Sequence, residues 1–115
     1  ALIVNAQQRC SAVIVQNTLR EGFGLTVTEG MWKHTGLLAS RACGIQPQIR
    51  DGIEGRLIDD PETSDEIAGL LNDFLEDVPS RSRLAKNAHR RAHEEFLIFT
   101  QVRRWLEVLA EQADR

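Results

Sequence analysis

A chain of 115 residues, 42% of them hydrophobic, holds enough apolar material for one modest core, and no shift in composition marks a second domain. Its formal net charge of -3 supplies no basic field, which argues against nucleic acid as a partner and leaves any anionic ligand to local dipoles and a few side chains. Apolar runs such as Ala12 to Val15 are too short to span a bilayer, no charged-then-apolar leader opens the sequence, and Cys10 and Cys43 lie outside any CxxC spacing, so the expectation is a soluble, cytoplasmic protein with no membrane partner, its two cysteines free thiols or buried.

The sequence starts without Met and runs directly into a helical pattern, and so reads as an excised piece. Leu2, Ile3, Ala6 and Cys10 recur at helical spacing, and the β-branched run from Ala12 to Gln16 suits a buried strand. Leu25, Thr28 and Trp32 then fall on one helical face, and Leu37 to Ser40 forms a second short apolar run. Pro47 and Asp51-Gly52 punctuate a turn-rich stretch, after which Gly55 to Ile58 supplies a third brief strand that Asp59-Asp60-Pro61 stops. Thr63-x-x-Glu66 has the form of a capping box before the stripe Ile67, Leu70, Leu71, Phe74 and Leu75. Pro79 opens the next helix, whose narrow face is Leu84, Ala88 and Ala92, and Phe99, Val102, Leu106 and Leu109 mark a terminal one.

Strands separated by helices without hairpin signals predict an α/β fold of short parallel strands with flanking helices, a strand-helix core over about residues 1–60 and a helical tail over about 63–115. So small a sheet leaves edges open unless upstream strands or another chain cover them, which makes a homo-oligomer one expectation.

The chemistry-bearing segment runs from Arg20 to Lys33, between a predicted strand and the following helix. In open parallel sheets, ligands gather at the carboxyl ends of strands, where loops lead into helix N-termini. Gly22 and Gly24 let backbone N–H groups approach a ligand, and a first turn at Leu25 and Thr26 offers unpaired donors and the positive end of a helix dipole, which suits a diphosphate. Glu21 before the helix and Glu29 one turn inside it are carboxylates able to accept from vicinal hydroxyls, one on a sugar and the other on a ribose. The same spacing also fits a Gly-rich turn followed by an amphipathic helix with both glutamates in solvent, and the residues alone leave both readings open.

The segment Glu21-Gly-Phe-Gly-Leu-Thr-Val-Thr-Glu29 resembles the hallmark of the retaining glycosyltransferases with two Rossmann domains, the GT-B fold: Glu, seven residues, Glu, around a Gly-Phe-Gly turn. Gln16-Asn17, Glu29-Gly30-Met31-Trp32-Lys33 and Arg41-Ala42-Cys43-Gly44-Ile45-Gln46 around it resemble the trehalose synthase and trehalose phosphorylase branch of the glycosyltransferase family 4 type, and the likeness extends over nearly the whole chain. The resemblance implies the C-terminal part of a Rossmann-like donor-binding domain. Glu21 would contact the transferred sugar as the catalytic group, Glu29 would bind the ribose, and Gly22, Phe23, Gly24, Leu25 and Thr26 would form the donor cradle. It implies glucose transfer with retention from a nucleoside-diphosphate glucose donor to a glucose acceptor, forming trehalose, with no metal and no cofactor. It also implies that the Arg and Lys of the diphosphate clamp and the acceptor site lie in upstream parts, including an N-terminal domain towards which the final helix, Glu94 through Leu106, crosses back. A fragment of this kind would be inactive alone. The sequence departs from the family at Gly36-Leu37-Leu38, where Pro and β-branched residues are usual, and at Cys43, often Gly. Trehalose phosphorylase is the near alternative, and a non-catalytic self-associating module is the alternative of another class.

His89 and His93 have the spacing of a two-histidine metal site, but Arg90 and Arg91 surround them and no third ligand is evident, so a solvated face is expected. His34 is expected to favour the C-terminal end of its helix, and the basic residues from Arg81 to Arg91 to keep an exposed helix soluble.

Overall fold

The computed structural model describes residues 1–113. In chain order the elements are α1 (Leu2–Cys10), β1 (Val13–Gln16), α2 (Leu25–Trp32), β2 (Gly36–Ser40), β3 (Arg56–Ile58), α3 (Ser64–Glu76), α4 (Val78–Arg91), a π-helical turn (Ala92–Phe96) and α5 (Ile98–Ala113). The three strands form one parallel sheet in the order β1-β2-β3, with Ile14 opposite Leu37 and Ala39 opposite Leu57. Parallel pairing requires a crossover, which α2 supplies between β1 and β2. Among the described residues, no helix is long and apolar enough to cross a membrane.

β2 is the central strand, and all five of its residues are buried. Its departure from Pro and β-branched residues does not weaken it, because both faces are covered and Leu37 and Leu38 each remove a whole side chain from water, about 2 kcal/mol apiece. Ile14, Leu37, Ala39 and Leu57 of the sheet pack with Val27 and Met31 of α2, with Ala42, Ile45 and Ile49 of the turn after β2, and with Ala88 and Ala92. The Leu84, Ala88, Ala92 face forms as the sequence predicts; the first strand also forms, but from Val13, and at the edge of the sheet it buries Ile14 while Val15 stays exposed.

The helices are where predicted, but several of their buried faces are not. In α1 the predicted stripe is exposed, Leu2 at 87% and Ile3 at 75%, and the buried residue is Gln8. In α2 the core face is Val27, Gly30 and Met31; Leu25 and Trp32 stay exposed. The two faces compete closely in composition, and the sheet takes the one where Gly30 permits close approach: a Cβ there would lie 2.7 Å from a Leu37 methyl carbon and 2.9 Å from one of Ile14.

The capping box at Thr63 does not form. The Thr63 hydroxyl donates to Asp60 Oδ2 at 2.5 Å, and the Glu66 carboxylate reaches past Thr63 to accept from the N–H groups of Asp59 and Asp60, at 2.6 and 2.9 Å. Glu66 thus ties the end of β3 to α3, and Asp60 is held below the usual carboxylate range chiefly by the Thr63 hydroxyl. Asp77 does cap α4, accepting from Ser80 N–H at 3.0 Å with Pro79 in the first turn. α5 forms without any buried residue: Ile98, Phe99, Val102, Trp105, Leu106 and Leu109 are all exposed.

Candidate functional site

The segment after β1 turns sharply, and α2 begins at Leu25 with Gly24 as its N-cap. The Gly24 carbonyl accepts from Val27 and Thr28 N–H, and Leu25 N–H turns back to the Phe23 carbonyl. Among the described residues, no acceptor meets the N–H groups of Gly24 and Thr26, so the helix presents free donors beside its positive end. Gly22 lies open, with nothing within 4 Å of a Cβ built on it, whereas Gly24 is buried and a Cβ there would touch Val27 at 3.2 Å and Ile45 at 3.3 Å. The second glycine therefore serves packing as well as access.

Glu21 is half-buried, and its Oε1 accepts from Phe23 N–H at 3.3 Å. Its carbonyl accepts from Gly44 N–H at 2.9 Å, joining this loop to the turn after β2. Gly44 must be glycine for that contact, since a Cβ would lie 2.4 Å from the Glu21 carbonyl oxygen and from the Gly22 carbonyl. Glu21, Gly22, Leu19, Arg20 and Cys43 line a cavity of about 400 Å³. Both cysteines are free and exposed, and Cys43 stands in the wall of this cavity. Phe23 turns away from it and meets Phe96 edge to face, with centroids 6.4 Å apart.

Glu29 opens on a different space, a cavity of about 630 Å³ lined by Gln8, Thr28, Trp32, Lys33 and Phe96 among others. Its Oε2 accepts from the Gln8 amide at 2.7 Å, and the other end of that amide accepts from Lys33 Nζ. The two glutamates therefore do not converge on one cavity; the first turn of α2 separates them along the chain.

Two further groups brace these parts, and neither was evident in the sequence. Glu54, 1% exposed, accepts from Arg50 N–H at 2.9 Å, pairs with the Arg50 guanidinium and lies 3.4 Å from Arg91 Nη1. Burial opposes its ionisation, yet the Arg50 side chain and N–H, with the Arg50 and Arg91 charges, outweigh it and hold the carboxyl below the usual range. Gln48 Nε2 donates to the Gly44 carbonyl at 3.0 Å, so the turn that holds Glu21 is anchored from within. The only local signal is a lone Glu between Asp51-Gly52 and β3, in a stretch that the sequence marks as turn-rich.

His93 is exposed, as a solvated face requires, and His89 is half-buried, but their rings also pack against the end of α2. His89 Nδ1 lies 2.8 Å from the Trp32 carbonyl at the end of α2, its ring stacks on His34 with centroids 3.7 Å apart, and His93 stacks on Trp32. His34 follows α2 in the left-handed region at φ 57°, and burial, then the nearby His89 and Lys86, push its pKa down. Of the basic residues on α4, Arg81 donates to the Phe74 and Leu75 carbonyls and Arg91 to the Pro47 carbonyl at 2.8 Å, so these two are structural rather than merely solubilising.

Against this geometry, the model of the family described as Glycosyl transferases group 1 matches residues 2–91, a span that includes Glu21, the first turn of α2 and Glu29. The trehalose synthase of Thermococcus litoralis is 43% identical over 106 residues, which cover 92% of this chain and 25% of that protein. The trehalose phosphorylase of Pleurotus pulmonarius is 31% identical, over 90% of this chain and 14% of that protein. Among solved structures, Anabaena Alr3699/HepE in complex with UDP-glucose superposes with a TM-score of 0.81 at 26% identity, covering 90% of this chain and 29% of that one. The chain thus spans a quarter of the length of the trehalose synthase it matches. Its parallel sheet and flanking helices match GT-B glycosyltransferase structures. Sequence, fold and the loop at the N-terminus of α2 lead to one assignment: the chain belongs to the glycosyl transferases group 1 family.

Proposed function

We propose that the segment from Glu21 to Glu29 is the donor cradle of a retaining glycosyltransferase that moves glucose from a nucleoside-diphosphate glucose to glucose, forming trehalose. One observation carries this reading: two carboxylates face separate cavities, and the turn between them offers unpaired N–H groups at a helix N-terminus. A nucleotide sugar has the matching order of parts. Its sugar would sit against Glu21, its ribose would place vicinal hydroxyls on Glu29, and its diphosphate would cross Gly24, Leu25 and Thr26. Gly22 keeps the approach open, and Phe23 anchors the loop on Phe96.

In this reading the chain binds and polarises the donor. As the glycosidic bond breaks, negative charge grows on the leaving diphosphate, and fixed N–H donors with the helix dipole stabilise it without reorganising. The acceptor would enter on the face from which the diphosphate leaves, giving retention. The acceptor site and the cationic part of the clamp belong to the longer protein, including its N-terminal domain. The complex of Alr3699/HepE with UDP-glucose supports the donor class, and the trehalose synthase relatives support the product.

Trehalose phosphorylase is the second reading, favoured by the Pleurotus pulmonarius relative; there, inorganic phosphate would occupy the diphosphate region. A self-associating module is the reading of another class, favoured by the exposed apolar face of α5, and it predicts concentration-dependent sedimentation.

Calorimetric titration with UDP-glucose tests the donor site. Binding that weakens about tenfold in Glu29→Ala, a loss of about 1.4 kcal/mol, is expected. Binding indifferent to Glu29→Ala, or no binding even with the upstream strands restored, contradicts it.

A further inference from the structure

We infer that Gln8, oriented by Lys33, is a positioning residue that aims the Glu29 carboxylate; the inference rests on the donor-site reading above. Gln8 is the only buried residue of α1, 7% exposed on a helix otherwise open to solvent, and a buried amide requires partners at both ends. Both ends have them. Lys33 carries only donors, so the end of the amide that it contacts is the carbonyl oxygen. That choice leaves the NH₂ facing Glu29 Oε2 at 2.7 Å, where an ionised carboxylate can only accept. The direction of the whole relay, from Lys33 through Gln8 to Glu29, is set by the lysine.

The position of Gln8 is itself fixed. Its backbone carbonyl accepts from the Thr35 hydroxyl at 2.9 Å, which pins the last turn of α1 beside the end of α2. The buried Thr35 and the half-buried Lys33 lie just past α2, and Glu29 lies within it, so one side chain from α1 reads both ends of that stretch. With Oε2 occupied by Gln8, Glu29 keeps Oε1 for a ligand in the cavity that Gln8, Glu29 and Lys33 line. Glu29 is exposed, and the Gln8 contact restrains its carboxylate while leaving one oxygen to accept from a ribose hydroxyl, so less rotamer freedom is lost on binding. The relay also keeps a positive charge near Glu29 without a direct ion pair, which would compete with the hydroxyls.

The test separates aiming from folding by using two ligands that differ in one hydroxyl. UDP and 2′-deoxy-UDP are titrated into the full chain and into Gln8→Leu and Lys33→Met. The unaltered chain is expected to favour UDP about tenfold. Gln8→Leu should bind UDP about tenfold more weakly and 2′-deoxy-UDP as before, so that the preference disappears. Lys33→Met, which lets the amide turn over, should cut the preference about threefold. Undiminished binding of 2′-deoxy-UDP shows that the variants are folded. A tenfold preference retained in both variants overturns the role of Gln8; if Gln8→Leu does not fold, an unchanged preference in Lys33→Met overturns it alone. Equal binding of both ligands by the unaltered chain, or binding of neither even with the upstream strands restored, removes the donor-site reading, and the positioning role with it.

Discussion

The two ends of the candidate donor cradle are held by different means. At Glu21 the backbone does the holding: its carbonyl is fixed by Gly44 N–H, its carboxylate by Phe23 N–H, and Gly44 by Gln48. At Glu29 side chains do it, through Gln8 and Lys33, with Trp32 packed on His89 and His93 behind them. A backbone clamp tolerates no added atom at the contact, whereas a side-chain relay can be tuned one group at a time. Substitutions at the first end should therefore act on stability and at the second on affinity.

The sharpest way to break the comparison is Gly44→Ala. A Cβ 2.4 Å from two backbone oxygens cannot be absorbed by a rotamer change, and a loss of about 3 kcal/mol in urea denaturation is expected. Glu54→Ala comes next, at about 2 kcal/mol, because it leaves Arg91 without its buried partner and frees Arg50 N–H from the turn. Its pH dependence has a definite sign. The folded-state pKa lies below the ordinary value of 4.5, so Glu54 contributes stability above pH 4.5 that is lost as pH falls through the lowered pKa, and Glu54→Ala should flatten that acid limb. Gly22→Ala, with open space around it, should shift stability by no more than about 0.5 kcal/mol, showing that the two loop glycines facing each other have different tasks.

The smallest effect concerns the side-chain end. His34 has a folded-state pKa below 6.5, so the contribution of its neutral form is present above pH 6.5 and is lost as pH falls through the lowered value. With Trp105 replaced by Phe, Trp32 fluorescence followed during acid titration should report loosening in that window, and His34→Asn, which keeps the left-handed conformation, should remove it. An unchanged profile in His34→Asn assigns the transition to another group.

Much of this architecture was legible in the sequence. β-branched and apolar runs of strand length, separated by helical periods, were enough for three parallel strands, because a strand between covered faces must be apolar throughout, and Leu37 to Ser40 is buried throughout. Glu21, Gly24 and Glu29 could be singled out as candidates because the motif that carries the resemblance is local in sequence. What escaped was decided by contacts far apart in sequence. Gln8 meets Glu29 across 21 residues, and Arg91 meets Glu54 across 37. The buried face of α2 depended on Gly30 fitting Leu37 and Ile14, which no helical periodicity encodes. Thr63-x-x-Glu66 has the letters of a capping box, but Glu66 found two free N–H groups at the end of β3 instead.

The most direct test of the account is amide mapping by NMR during titration of the chain with UDP-glucose. The largest shifts are predicted at the Gly24 and Thr26 N–H groups, which meet no acceptor among the described residues, with smaller shifts at Gly22 and around Glu29. Saturable shifts confined to α5 or to α3, with the first turn of α2 unmoved, would contradict the donor cradle.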